Sequence, residues 1–453
     1  MNRLRAAFFV VCLLLVIPAS LAAQTSTSTV LGTDRDPQDA VVVGAQVKLE
    51  AKALSISLTQ TSNSSGQYIF VNVIPGIYTI SVTVQGFSTA SVKDFRVEVA
   101  TSYTIDLKLQ LGQATEVMTV SSEVVKELRT TDSTVGNVIS GNLLPRMPAL
   151  TRRANELMAL QPTAVPGGQV AGARNDQSTF TLDGIDITNN SVGGIDTPIP
   201  LPIDSIEEFR VGVANPTANF GRGSGGQASV LGKSGTNAYH GTGFWYHQND
   251  NLNANTWTLN HTPSRDKTGA LRGFTPKSEQ KDNRFGFNFG GPIPYLPYLK
   301  DKTFFFANYE GRRFPQAAQF TRIVPNATLR QGILRFPDAT GVVRDYNVAA
   351  RDPRGLGMSP VIQRQFALLP AGNSTVGVVD LNNTSSLIGD VPAALTNDNY
   401  ILKVDHNITS NWRANGHFRY FGQTAAGTTL LDISGPQVIS RENFPNRGNF
   451  FSA

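Results

Sequence analysis

The sequence predicts a mainly β protein, and three observations support this prediction. The 453 residues include 41 glycines and 25 prolines, a composition that favours many turns. Charged residues make up only 16% of the chain, against roughly 25% in typical soluble domains. Apolar and polar residues alternate with a period of two in many short segments, as they do in strands with one buried face. These features exclude a coiled coil or a long-helix protein.

The first part of the chain, residues 1–23, reads as a signal peptide. Residues 1–5 are basic, residues 6–17 are apolar and uncharged, and Pro18 ends that run before a series of small residues. The apolar run is long enough for a secretory signal but too short to span a bilayer. Ser20 and Ala22 fit the small-x-small cleavage rule, and cleavage after Ala23 fits almost as well. A buried amino-terminal helix is the alternative interpretation.

The single cysteine, Cys12, lies inside this apolar run. It is not at a cleavage point, so a lipoprotein anchor is not supported. The exported chain would therefore form no disulfide, thiolate zinc site or cysteine nucleophile. No later segment is apolar for about 18 residues, so entry into a membrane would require a β-barrel, whose backbone groups are all paired.

Residues 24–111 predict an Ig-like or transthyretin-like β-sandwich. Tyr68 and Phe70 alternate with polar residues before a Pro75-Gly76 turn, and apolar residues alternate again from Tyr78 to Val84. The pattern G-x-Y-x-F…P-G-x-Y-x-I-x-V resembles the carboxypeptidase regulatory-like domain, which has a carbohydrate-binding-like fold. The first histidine of the chain is His240, so this segment lacks the His/Glu cluster of a zinc peptidase. We interpret it as an accessory module, for which sugar binding is an expectation by fold analogy alone.

Residues 112–123 predict a linker that contains a short β-prone peptide, E-V-M-T-V-S-S. It resembles the TonB box of TonB-dependent outer-membrane receptors, whose extended main chain pairs with the sheet edge of an inner-membrane partner. A plain linker strand is the alternative. The candidate partner-binding residues are Glu116, Val117, Met118, Thr119, Val120, Ser121 and Ser122.

Residues 124–240 resemble the plug domain of the same receptors, especially the Oar-like group. The resemblance rests on three pieces in the family's order, at residues 172–190, 203–237 and 238–250. It implies a small mixed α/β domain lodged in the lumen of a large barrel. The plug-motif residues are Arg174, Asn175, Asp183, Gly184, Gly221, Gly225 and Gly226.

The residues of this region also support local predictions. Asp183-Gly184 is a strong turn signal between two short apolar strands. Residues 221–226 are so rich in glycine that backbones can approach closely, and we expect a plug–wall contact there. Helical stretches are expected at residues 141–144 and 152–160, and a strand or short helix-to-strand segment at residues 206–213.

Two segments match nucleotide-binding motifs in part, but the residues around them do not fit a nucleotide-binding site. Gly221, Gly223 and Gly226 satisfy G-x-G-x-x-G, but the residues that follow are β-prone rather than helical. Gly232-Lys233-Ser234 resembles the end of a phosphate loop, yet Gln227 occupies the position of the required first glycine.

No catalytic or metal site is expected either. The five histidines show no metal-ligand spacing, and turns or solvated faces account for Asp183, Asp186, Glu207 and Glu208. We therefore predict no enzyme activity and no cofactor.

Residues 241–453 predict strands of a partial outer-membrane β-barrel with long loops at 248–282 and 314–396. In residues 284–289, 399–405 and 411–421, aromatic or aliphatic residues alternate with charged or polar ones. A Lys or Arg facing lipid at mid-bilayer costs about 2–4 kcal/mol, so the charged side must face the lumen. The family's barrel has about 22 strands, and this sequence offers only five or six. We therefore expect the amino-terminal portion of a receptor, which alone would not form a pore.

These resemblances together imply an Oar-like TonB-dependent receptor or transporter in the outer membrane of a Gram-negative-type bacterium. Its expected partners are the TonB energy-transducing protein, outer-membrane lipid and an unknown small-molecule, sugar or peptide substrate. The charges of both signs are interspersed, which argues against nucleic acid as a partner. The alternatives are a barrel-anchored surface adhesin or carbohydrate-binding sensor without transport, and a secreted metallopeptidase fragment.

Overall fold

The structure is a computed structural model. It describes residues 27–112, 117–120, 134–141, 143–147, 152–165, 169–189, 200–215, 223–261, 264–265, 271–274, 277, 280–293, 301–315, 317–348, 350–375, 378–409, 412–427 and 442–452. The predicted signal peptide lies outside the described residues. Within those ranges, no helix combines the length and the apolar character needed to cross a membrane.

The first domain is a sandwich of two sheets, as the sequence predicts. Its strands are β1 (Ser28–Arg35), β2 (Gln46–Ala51), β3 (Ile56–Thr61), β4 (Gln67–Val73), β5 (Gly76–Thr83), β6 (Thr89–Val97), β7 (Ser102–Thr104) and β8 (Leu107–Lys108). One sheet has the order β4-β1-β7, with β8 also on β1, and the other contains β3-β2-β5-β6. A 3-10 turn at Lys52–Leu54 connects β2 to β3.

Alternation along the strands builds the core of this sandwich. Leu49 on β2 lies beside Ile80 on β5, and Tyr78 on β5 lies beside Phe95 on β6, all of them buried. Full burial of such a side chain contributes about 1.5–3 kcal/mol. Strand β3 was not predicted, because its side chains are mostly exposed and leave little apolar alternation.

The peptide between the domains forms β9 (Val117–Val120), which joins the edge of β6 in parallel. The plug region then contains β10 (Val135–Ser140), β11 (Thr179–Leu182), β12 (Ile185–Asp186), β13 (Ile206–Ala214) and β14 (Gln227–Gly232). They form one mixed sheet of order β10-β13-β14-β11-β12, in which β11 and β14 are parallel. Its helical turns are 3-10 turns at Leu144–Arg146, Ala154–Leu160, Asn175–Gln177 and Ile203–Ser205.

The remaining strands belong to the wall and its loops. They are β15 (His240–Asn249), β16 (Ser264–Arg265), β17 (Leu271–Arg272), β18 (Lys281–Pro292), β19 (Thr303–Phe314), β20 (Ala317–Pro325), β21 (Ile333–Pro337), β22 (Val343–Asn347), β23 (Thr384–Pro392), β24 (Leu395–Asn407), β25 (Arg413–Gly427) and β26 (Glu442–Ser452). Six of them form an antiparallel sheet of order β15-β18-β19-β24-β25-β26. In the part of the chain that the structure describes, β15 and β26 do not pair, so this wall is open.

The two predicted loops contain regular structure of their own. The first carries a 3-10 turn at Asp250–Leu252, a helical turn at Trp257–Asn260 and the pair β16–β17. The second contains the ribbons β20–β23 and β21–β22. Its helices are Ala327–Arg330 and Pro360–Leu368.

The predicted polarity of the wall strands is confirmed. On β18, Phe285, Phe287 and Phe289 are exposed on the outer face, whereas Arg284 and Asn288 are buried on the plug side. Strand β19 separates polar from apolar residues less cleanly, because its buried face carries Phe304 and Phe306 as well as Asn308 and Glu310. The inward face of the wall is therefore mostly, but not wholly, polar.

Candidate functional site

The candidate partner-binding segment is in part a strand of the first domain. Residues Val117–Val120 pair in parallel with Thr89–Val92 of β6. Glu116, Ser121 and Ser122 lie outside the described residues. The extended conformation expected of this segment is present over four of its seven residues, and its role as a TonB box stays a prediction.

The predicted hairpin at Asp183-Gly184 is confirmed. Both turn residues have positive φ, 49° and 88°, as a type I′ turn requires. The carboxylate of Asp183 is buried, however, rather than solvated as the sequence suggested. Its Oδ1 accepts a hydrogen bond from the Gly232 N–H at 3.0 Å, and thus links the turn to the end of β14.

Asp183 also lies at the centre of a charged contact between the plug and the wall. Lys403 Nζ on β24 is 3.4 Å from Oδ1, and His417 Nδ1 on β25 is 3.1 Å from Oδ2. Burial raises the pKa of Asp183, but the charges of Lys403, His417 and Arg419 and the Gly232 hydrogen bond together hold it below its ordinary value. Asp183 is therefore ionised and joins the plug to two wall strands.

A second polar contact joins the plug to β15. The Arg152 guanidinium is 3.2 Å from Asp204 Oδ2 and lies 3.6 Å from the centre of the Tyr246 ring. The Tyr246 hydroxyl donates to the other Asp204 oxygen at 3.1 Å. Arg152 and Asp204 belong to the plug and Tyr246 to the wall, so this contact combines a cation–π interaction with a charge-assisted hydrogen bond.

A third contact fixes the sandwich on the plug. Glu208 on β13 accepts hydrogen bonds from Arg96 Nε and Nη2 on β6, at 2.9 and 2.6 Å, and from the Val99 N–H at 2.9 Å. Burial raises the pKa of the Glu208 carboxyl, an effect that Arg96 partly offsets. The expectation of a solvated face is therefore wrong for Glu208, because its side chain is only 1% exposed. The neighbouring Glu207 is 45% exposed, as expected.

The sandwich also contacts the plug–wall junction and the end of a wall strand. Asn237 donates through Nδ2 to the Lys52 carbonyl at 2.7 Å, and its N–H donates to the Ala53 carbonyl at 3.0 Å. Asn407 at the end of β24 donates to the Leu54 carbonyl at 3.0 Å. The three parts surround a cavity of about 800 Å³ whose lining includes Glu207 and Lys233.

The glycine-rich segment packs within the plug itself. A Cβ on Gly223 or Gly225 would lie within 3.0 Å of the Gln177 backbone, and one on Gly226 would collide with the Met158 side chain. The predicted close approach is thus confirmed, but the expected contact with the wall is wrong for these glycines. Gly221 lies outside the described residues.

The remaining motif residues belong to a turn at the surface of the plug. Arg174 precedes the 3-10 turn Asn175–Gln177 and forms an exposed ion pair with Asp176 at 2.7 Å. The residues after the G-x-G-x-x-G pattern form the strand β14 rather than a helix. This agrees with the rejection of a nucleotide-binding motif.

Sequence comparison assigns two parts of the chain to known domain families. Residues 29–110 match the carboxypeptidase regulatory-like domain, and residues 231–452 match an outer membrane beta barrel domain. The fold and these matches define an outer-membrane β-barrel protein of a Gram-negative bacterium with an amino-terminal regulatory-like sandwich.

The chain is also similar to a characterised protein, the TonB-dependent transporter Oar of Myxococcus xanthus. The two are 25% identical over 342 residues, which cover 72% of this chain and 29% of that relative. This match confirms the resemblance of the chain to Oar-like TonB-dependent outer-membrane receptors. It spans 29% of the length of the relative that it matches.

Two solved structures are also similar to this chain. The outer membrane transporter YddB from Escherichia coli has 12% identity and a TM-score of 0.40, with coverage of 65% of this chain and 34% of its own. The ferric enterobactin receptor PfeA from Pseudomonas aeruginosa has 12% identity and a TM-score of 0.35, with coverage of 69% and 35%.

Several residues of these contacts were not identified from the sequence. Lys403, His417 and Arg419 were expected to face the lumen, but not to contact Asp183. The alternation on β24 and β25 indicated their side of the sheet, whereas nothing in the sequence indicated the opposing residue. Arg96 and Asn237 carried no recognisable signal.

Proposed function

We propose that this chain is part of a receptor that moves a solute across the outer membrane, with energy delivered by a TonB protein of the inner membrane. The solute would be a small molecule, a sugar or a peptide. We propose no catalytic role for the chain and no cofactor. The domain boundaries at residues 23, 111, 123 and 240 belong to the same proposal.

One observation carries this proposal: the plug has its own apolar core, and its described contacts with the wall include several polar groups. Phe180, Phe209 and Val230 are buried inside the plug. Its contacts with the wall include the ion pair of Asp183 with Lys403, the contact of Asp183 with His417 and the Asp204–Tyr246 hydrogen bond. Water can replace polar contacts of this kind, whereas separated apolar surfaces would remain unfavourably exposed. A plug held in this way can move without losing its own core.

The proposed mechanism begins with a substrate bound to the loops and the outer side of the plug. The TonB protein would hold residues Glu116–Ser122 and pull on the chain that leads to β10. This strand lies at the edge of the plug sheet and pairs with β13. The pull would therefore separate β10 from β13 before it disturbs the centre of the sheet.

A binding assay tests the energy-coupling part of the proposal. A peptide of residues 113–122 should bind the carboxy-terminal domain of the cognate TonB protein. The Val117→Pro peptide should not bind, because proline removes a main-chain donor and disfavours strand pairing. Absence of binding by the unsubstituted peptide, or equal binding by both peptides, would contradict energy coupling through this segment.

Energised and de-energised cells distinguish a transporter from a surface adhesin or sensor. Uptake by the receptor should stop when the proton gradient is dissipated, whereas binding to the cell surface should persist. If ligand binding persists but energised cells accumulate no ligand, the adhesin or sensor is supported instead.

A further inference from the structure

The edge of β6 holds the segment that resembles the TonB box. One side of β6 pairs with β5, and the other side pairs in parallel with β9. The Cα partners in the second ladder are Thr89 with Val117, Ala90 with Met118, Ser91 with Thr119 and Val92 with Val120. Four residues of the proposed partner-binding segment, Val117–Val120, are thus a strand of the sandwich's own sheet.

The chain is tied to the sandwich immediately before this strand. The Gly112 N–H donates to the Gly86 carbonyl at 3.4 Å, and the Ser88 N–H donates to the Gln110 carbonyl at 2.8 Å. Only residues 113–116 separate Gly112 from Val117. A short tether gives the segment an effective concentration at the β6 edge in the millimolar range. The segment therefore binds this edge repeatedly even if each encounter is brief.

The ladder is also suited to release. It contains four residue pairs, and parallel pairing is slightly less stable per residue than antiparallel pairing. The contact also protects β6, because an open edge strand exposes unpaired main-chain groups that can pair with other chains. The occupied edge is thus both protected and easily opened.

We propose that the β6 edge is an intramolecular docking site that withholds the segment from its TonB partner, which must displace it to bind. This inference rests on the proposed function. The partner would take the segment by strand addition, so both sheets use the extended main chain of the same residues. While Val117–Val120 is paired with β6, one edge of this strand is occupied, and the partner cannot use that edge for strand addition.

Crosslinking of the full chain in detergent micelles tests the docking. In a Cys12→Ser background, the double variant Thr89→Cys/Val117→Cys should be linked by a short bismaleimide in the absence of any partner, since Thr89 is partly exposed and pairs with Val117. The control Val71→Cys/Val117→Cys should not be linked, because Val71 lies on β4 in the other sheet. Equal linking of both variants, or linking of neither, would overturn the docking site.

The same variant tests the competition. The TonB carboxy-terminal domain should bind the crosslinked chain at least tenfold more weakly than the uncrosslinked chain. Equal affinity would show that the docked segment remains available, which overturns the inference. The free peptide of residues 113–122 separates the two proposals: if it does not bind TonB, the proposed function fails, whereas the crosslinking still reports on the docking site.

Hydrogen exchange on the unsubstituted chain gives a measurement that does not depend on the cysteine variants. Amides of residues 89–92 and 117–120 should be protected in the free chain. Addition of the TonB domain should increase exchange at residues 89–92, because β6 loses its neighbour. Unchanged protection at β6 with TonB bound would contradict displacement.

Discussion

The sandwich and the plug–wall contact are stabilised in opposite ways. The sandwich encloses a continuous apolar core that includes Leu49, Ile80 and Phe95. The plug meets the wall through Asp183, Lys403 and His417, and through Asp204 and Tyr246. Apolar burial gives a stable unit, whereas directional polar contacts can be exchanged for water. The difference suggests which parts of the molecule stay intact during function and which part moves.

The largest expected effect is on the sandwich core. Phe95→Ala should lower the free energy of unfolding of the sandwich by about 3–5 kcal/mol, because it leaves a cavity where a fully buried ring was. Amide exchange of β5 and β6 measures this loss. Val71→Ala is the matched control, since Val71 is 59% exposed, and it should change stability by less than about 0.5 kcal/mol. Equal effects would contradict the assignment of this core.

The next effect concerns the plug–wall contact. Asp183→Asn keeps a residue that tolerates the turn but removes the charge opposite Lys403. The contact between plug and wall should then be less stable by about 3 kcal/mol, because Lys403 is left buried without its partner. Limited proteolysis should then cleave the plug faster, while the unfolding of the sandwich stays unchanged. Asp176→Asn removes an exposed ion pair instead, and a change below about 1 kcal/mol is expected. A plug that is equally resistant in both variants would mean that the Asp183 contact does not hold it.

The third effect concerns Asp34, an acidic group that is fully buried in the sandwich. Burial, and to a smaller extent the nearby Asp106, raises the pKa of Asp34 to about 7. The unfolded chain loses this proton near pH 4, whereas the folded chain keeps it up to about pH 7. Stability should therefore fall as pH rises between these values, by about 1.4 kcal/mol per unit at the steepest.

Comparison with a neutral variant isolates this group. Between pH 5 and 7, urea unfolding of the sandwich in the full chain should show the decline in the unsubstituted protein, and Asp34→Asn should remove it. The same decline in both proteins would assign the pH dependence to another group.

The smallest expected effect distinguishes two adjacent carboxylates. Glu208→Ala removes three hydrogen bonds between plug and sandwich and should weaken their contact by about 2 kcal/mol. Glu207→Ala should change it by less than about 1 kcal/mol, because that side chain is half exposed. The distribution of distances between spin labels on the sandwich and on the plug should broaden only for Glu208→Ala. Broadening by both variants would contradict a specific role for Glu208.

Local patterns determined much of this fold. Alternation of apolar residues with a period of two predicted most sandwich strands, five strands of the wall and the outward side of Phe285, Phe287 and Phe289. Asp183-Gly184 predicted its turn because both residues tolerate positive φ. These features depend on neighbours in sequence, so the sequence alone was sufficient for them.

The tertiary structure decided which residues oppose one another. A carboxylate in a turn looks the same in sequence whether it faces water or a lysine 220 positions away, as Asp183 does. The glycines at 223–226 signalled a close approach, but the neighbour proved to be Gln177 rather than the wall. The pairing of Val117–Val120 with β6 likewise depends on the edge that the sandwich leaves open. Alternation fixes the side of a strand on which a residue lies, whereas its partner depends on how distant segments pack.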